Sequence, residues 1–249
     1  IRAFDMAMGR YLNTRPDDMS SVFRSADHEN VLARAQSTDR DALLARFHAE
    51  KRLPLHLYHE GMPHARALFG VFPKARVVSS LRDPAALMNS WYNRGWGKLA
   101  TAETPTVMWP FFDGPKGRRT WWSLDWEVGW DEVNDMDRCA LSIATLYALG
   151  RKELEALAPA QRERVHLMRF EDLVKDPQPQ VSRLAAFLGR KPLPGMAAVL
   201  KQERLPREVP ADLRQRDLAR VLELLSPRFR PAVEKACAEY DSYWAGLAR

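Results

Sequence analysis

Arg82, Ser90 and Arg94 are the residues whose types and spacing first suggest chemistry. Two guanidiniums and a hydroxyl suit a phosphate, because the guanidinium fork meets two oxygens at once and carries the opposite charge. Between them stands Asp83-Pro84, a helix start: Asp accepts the free N–H groups of a first turn, and Pro loses nothing at the first helical position. With the helix beginning there, Asp83, Ala86, Leu87, Ser90 and Arg94 share a face by three- and four-residue spacing. The free N–H groups and macrodipole at that N-terminus favour an anion. Arg82, Ser90 and Arg94 thus outline a phosphate site.

An element must deliver Arg82 to that turn. Ala75 to Leu81 is a run rich in Val and Ser without helical spacing, bounded by Pro73 and by Asp83-Pro84, and it predicts a buried strand. Leu53 to Tyr58 predicts another, with a helix over 64–70 opened by Pro63 between them, which makes a βαβ unit with a right-handed crossover. Val165 to Arg169 predicts a third parallel strand. Glu171 and Asp172 lie in the turn behind it, and a helix runs from Asp176-Pro177 to a Gly189 cap. Helices are also expected over the opening residues, from Thr38 to about Arg52, from Asp131 to about Ala158, over 213–225 and over 231–244. The expected fold class is α/β: a three-layer, mostly parallel sheet flanked by helices, in a single domain over residues 1–249.

Composition narrows the partners. The 249 residues carry a formal charge of +6, enough for an anionic nucleotide, but spread too evenly along the chain to favour nucleic acid. Cys139 and Cys237 are too few for a disulfide framework, which favours a reducing, cytoplasmic setting. No apolar run reaches the roughly 18 residues of a membrane helix. Nothing groups His, Cys and carboxylates at metal-ligand spacing, so no metal is expected. From Trp91 to Trp130 the chain carries seven of its eight tryptophans, with Phe111, Phe112 and several glycines. That stretch reads either as an irregular flap whose rings supply core, or as a wall that stacks on an acceptor, with Lys116, Arg118 and Arg119 holding an acidic one.

Arg82-Asp83-Pro84 with Ser90 eight residues after the Arg, behind a strand introduced by Phe72-Pro73-Lys74-Ala75-Arg76, resembles the 3′-phosphate motif of sulfotransferases that use 3′-phosphoadenosine 5′-phosphosulfate (PAPS). Arg164 to Gly189 is similar to that family's strand, Glu-Asp-Leu turn, Asp-Pro and Phe-Leu-Gly helix, so the resemblance spans about residues 53–190. It implies a P-loop-like fold of bacterial type. It also implies PAPS as co-substrate, adenosine 3′,5′-bisphosphate as product, and a small-molecule or glycan acceptor whose hydroxyl or amine takes the sulfuryl group. The family commonly closes its donor site with a C-terminal basic loop. Here the Gly-rich form of that loop is absent, and Lys201, Arg204 and Arg207 are the candidates.

An acceptor must lose a proton as it attacks, and open α/β sheets bind ligands at the C-terminal ends of their strands. His59 and Glu60 stand at such an end. The segment His59 to Pro63 resembles the one in which some sulfotransferases carry a catalytic Glu and others a His, although Gly61 and Met62 replace the family's Lys and small residue. The expected base is Glu60, then His59, then His64. The family's Gly-rich 5′-phosphosulfate loop does not occur between Ile1 and Arg249. The opening helix lacks a feeding strand, so a strand and that loop are expected to precede Ile1. Ile1 should then lie on the sheet edge of Arg82 and Ser90, on the order of 15 Å away. Two readings from other classes remain open at this point: a P-loop kinase-like phosphotransferase, and a non-catalytic module for acidic glycans.

Overall fold

The computed structural model describes residues 61–98, 111–114, 117–192 and 194–247, together with 41, 45, 48 and 49. The chain divides into two compact units, Ile1–His59 and Glu60–Arg249. In the first, the four described positions are helical and exposed, in keeping with the helix expected after Thr38. Ile1 and the opening helix, the expected strand over 53–58, and His59 and Glu60 all lie outside the described residues.

The second unit runs α1 (Ala65–Val71), β1 (Val77–Leu81), α2 (Pro84–Asn93), β2 (Phe111–Gly114), β3 (Gly117–Thr120), α3 (Asp135–Ala156) and α4 (Pro159–Arg162). It continues with β4 (Val165–Arg169), α5 (Phe170–Lys175), α6 (Pro177–Phe187), α7 (Met196–Gln202), α8 (Leu213–Leu224) and α9 (Arg230–Leu247). It is mostly helical. Among the described residues the parallel sheet has two strands, β1 and β4, paired from Val77 opposite Val165 to Leu81 opposite Arg169.

Local chemistry sets most of these boundaries. Asp83 accepts the Ala86 N–H at 3.1 Å and so caps α2, with Pro84 at its first position. Asn134 and Asp137 form a capping box that starts α3 four residues later than expected, because the Asp131 segment is taken up by a 3-10 turn, Trp130–Glu132. α6 ends at Gly189, whose φ of +64° lets Arg190 N–H reach the Ala185 carbonyl at 2.8 Å and Gly189 N–H reach Ala186 at 2.9 Å, a Schellman closure. Glu171 and Asp172, expected in a turn, belong to α5, which begins the residue after β4 ends.

The larger core lies among α2, α3, α8 and α9. Ala85, Met88 and Trp91 meet Met136, Cys139, Ala140 and Ile143, with Val221, Val233 and Ala236 from the C-terminal helices. Met88 is wholly buried, and a side chain of its size contributes about 2 kcal/mol by leaving water. Asp137 reaches out of this core to accept from Ser226 N–H at 2.7 Å and Ser226 Oγ at 2.6 Å, tying the α8–α9 connection to the start of α3. Gly97 shows how closely the chain packs after α2. A Cβ there would stand 2.0 Å from the Asp135 carbonyl oxygen, so no side chain fits.

The segment expected to be irregular contains an antiparallel hairpin, with β2 and β3 paired from Phe111 opposite Thr120 to Gly114 opposite Gly117. Gly117 lies in the left-handed region at φ +81°, which glycine adopts without strain. No described helix is long and apolar enough to cross a membrane.

Candidate active site

The register of the parallel pair builds the site. Leu81 lies opposite Arg169, so the next residues, Arg82 and Phe170, leave adjacent strands at the same edge, and the Arg82 guanidinium sits 5.1 Å over the Phe170 ring. That edge is the C-terminal one, where open parallel sheets take their ligands. Two residues on, α2 opens and puts the positive pole of its macrodipole beside Arg82. Among the described residues, no carboxylate forms an ion pair with Arg82. Its charge is carried on an aromatic face beside a helix N-terminus, a placement that suits an incoming anion.

The turn beneath it is held by side chains from distant helices. Tyr147, on α3, accepts the Arg82 N–H at 3.1 Å and donates to the Arg82 carbonyl. Glu171, on α5, accepts the Asp83 N–H at 2.9 Å through one oxygen and the Tyr240 hydroxyl at 2.7 Å through the other. Arg214 Nε, at the start of α8, stands 2.8 Å from Asp83 Oδ2. This is a charge contact rather than an aligned hydrogen bond, since Oδ2 otherwise has no hydrogen-bond partner. Arg214 Nη2 donates to Asp241 at 2.8 Å. Burial pushes the Asp83 carboxyl above its usual range, outweighing the opposite pull of the Ala86 N–H and Arg214. Burial likewise pushes the Tyr147 and Tyr240 hydroxyls well up, so both remain protonated donors.

Ser90 lies on the same face of α2 as Asp83, partly buried and about 10 Å along the axis. Arg94 is the residue that ends α2, with its exposed guanidinium 5.3 Å over the Trp96 ring. The structure therefore sets Arg82 just before α2, Ser90 two turns into it and Arg94 at its far end. Arg204 and Arg207 are exposed, Arg204 at φ 58°. Arg207 N–H donates to the Val174 carbonyl at 3.1 Å, which ties the basic loop to α5 about 6 Å along the axis from Phe170. His64 is exposed and tilted against Trp121 at 4.4 Å.

The aromatic segment answers its two expectations differently. Trp91, Trp122 and Trp130 are buried in the core, Trp122 donating to Ser142 Oγ at 2.9 Å and the partly buried Trp126 to Thr145 Oγ1 at 3.0 Å. These rings supply core. Arg119, expected to meet an acidic acceptor, is only 4 % exposed and donates to the carbonyls of Ser123, Leu124, Trp126 and Val128. A guanidinium so engaged organises its own loop. The side chains of Lys116 and Arg118 lie outside the described residues. Among the described residues, no group of His, Cys, Asp and Glu could hold a metal ion.

Tyr147 and Arg214 escape the sequence reading, which places Glu171 behind the strand but does not give its partners. Tyr147 looks like one more ring on the inward face of α3, and only its hydroxyl, which needs a partner when buried, hints at more.

A family model described as a sulfotransferase domain matches residues 44–205, more than half of the chain. No curated protein and no solved structure matches.

Proposed function

The chain belongs to the sulfotransferase family, and from that premise we propose that it draws its sulfuryl group from PAPS and passes it to a hydroxyl or amine of a small-molecule acceptor. PAPS supplies an electrophilic sulfur whose bond to the 5′-phosphate oxygen breaks as the acceptor's bond forms, the phosphate leaving with the electron pair. Arg82 and Ser90 hold the 3′-phosphate of the donor, and the positive pole of the α2 macrodipole favours its charge. Arg94 extends that basic side at the outer end of α2, and Arg204 and Arg207 close over the donor from the loop anchored at Val174. Glu60 takes the acceptor's proton, with His59 as the other candidate. A three-layer, P-loop-like sheet in one domain would carry this arrangement.

The observation that carries the reading is the Arg82 guanidinium, seated on Phe170 beside the α2 N-terminus with no ion-pair partner among the described residues. Calorimetric titration with adenosine 3′,5′-bisphosphate tests it. Arg82→Ala should weaken binding by about 2–4 kcal/mol and Ser90→Ala by about 1 kcal/mol, the ordinary range for a charge-assisted and a neutral hydrogen bond. Unchanged affinity in Arg82→Ala would remove the donor-site assignment. ATP binding more tightly than the bisphosphate would favour a phosphotransferase instead.

A further inference from the structure

Among the described residues, every polar atom of the Arg82–Asp83 pair except the Arg82 guanidinium has a hydrogen-bond or charge partner. Tyr147 takes the Arg82 N–H and carbonyl. Glu171 takes the Asp83 N–H, and the Asp83 carbonyl accepts from Leu87 N–H at 2.9 Å. The Asp83 carboxylate is divided between the Ala86 N–H and Arg214. Of these partners, Arg214 is the one whose loss leaves a charge stranded. Asp83 is 5 % exposed, and a carboxylate at that depth needs a counter-charge, since removing one member of a buried pair costs more than the pair contributes. Without Arg214, Asp83 takes up a proton or turns toward water. Either change loosens its hold on Ala86 N–H, and with it the turn from which the Arg82 guanidinium projects.

Arg214 is itself fixed. Its Nη2 donates to Asp241 on α9. One turn further along α8, Asp217 accepts from Asn89 of α2 at 2.7 Å, so α8 lies pinned along the helix that carries Ser90. Arg214 has no need to reach the donor to govern how the donor is met.

We infer that Arg214 is a positioning residue for recognition of the donor's 3′-phosphate, acting through Asp83 on the Arg82 turn. The C-terminal pair α8 and α9 is then part of the donor specificity of the enzyme. This inference rests on the donor reading above.

The test compares two nucleotides, adenosine 3′,5′-bisphosphate and adenosine 5′-monophosphate, titrated calorimetrically into the unaltered protein, Arg214→Ala and Arg214→Lys. The unaltered protein should prefer the bisphosphate. Arg214→Ala should lower that preference about tenfold or more while monophosphate affinity stays within about twofold, and Arg214→Lys should restore part of it. An unchanged preference in Arg214→Ala overturns the inference, and so does an equal loss of both nucleotides, which would mark a general structural role. Should Arg214→Ala not fold, Arg214→Gln, which keeps part of the stem and loses the charge, is judged by the same ratio. Absence of any preference in the unaltered protein would instead bring down the donor reading, and this inference with it.

Discussion

The Tyr147 hydroxyl grips both polar ends of one residue, accepting the Arg82 N–H at 3.1 Å and donating to the Arg82 carbonyl. A phenol at the middle of a long helix thereby fixes the φ and ψ of the residue that leaves β1. Replacing it by Phe keeps the ring's packing and strands both main-chain groups. Tyr147→Phe should lose about 1–3 kcal/mol of stability in urea denaturation, the cost of partly buried groups left unpaired, and should weaken adenosine 3′,5′-bisphosphate binding as well. A variant equal to the parent in both would show that the ring alone matters.

Glu60→Gln should retain bisphosphate affinity and lower turnover about a hundredfold or more, as removal of a general base does. A parallel fall in donor affinity would point to a structural carboxylate. Activity surviving in Glu60→Gln but not in His59→Asn would move the base to His59.

His166 on β4 stacks on Phe187 at 5.2 Å, with its Nε2 buried and unpaired among the described residues. Burial lowers its pKa from the ordinary 6.5, and Arg183 adds to the shift. Between that ordinary value and the lower folded one, the unfolded chain binds a proton that the folded chain does not, so stability is lost as pH falls through this window. His166→Phe, which can keep the stacking, should flatten the decline seen when thermal unfolding is compared at about pH 7.5 and 5.5. Identical slopes for the two proteins would rule His166 out as a source of acid sensitivity.

Burial pushes the Cys139 thiol up to about 12 and the Cys237 thiol up to about 11. The thiolate is the reactive form. Iodoacetamide at about pH 8 should therefore leave both cysteines of the folded chain largely unmodified and alkylate both in denaturant, as read by mass spectrometry. Rapid labelling of the native protein would contradict the packing of α3 against α9.

The parts of this fold that were legible in the sequence are those decided within a few residues. Asp83 capping Ala86, Pro84 at the first helical position, β4 from Val165 to Arg169 and the Gly189 closure all follow from neighbours in the chain. The Arg82 turn was legible for the same reason. What holds that turn was not, because Tyr147 is 65 residues away and Glu171 meets the Asp83 N–H across 88. No local pattern separates a Tyr that packs from a Tyr that grips a distant main chain. The hairpin from Phe111 to Thr120 was obscured differently, its short strands lying in a stretch so aromatic that neither period stands out. Arg119 reads as a solvated charge until the carbonyls of its own loop are seen to surround it.

Arg119 also bears on what an approaching anion feels. The buried Arg138 is offset by Asp135 at 2.6 Å, whereas Arg119, among the described residues, is met only by neutral carbonyls. Its unit of charge is thus solvated but not cancelled. Dissolved counter-ions cannot reach a group so enclosed, so its short-range field is screened less by salt than that of a lysine at the surface. Among the described residues, the loop from Gly117 to Trp130 thus holds one positive charge in place with its own carbonyls.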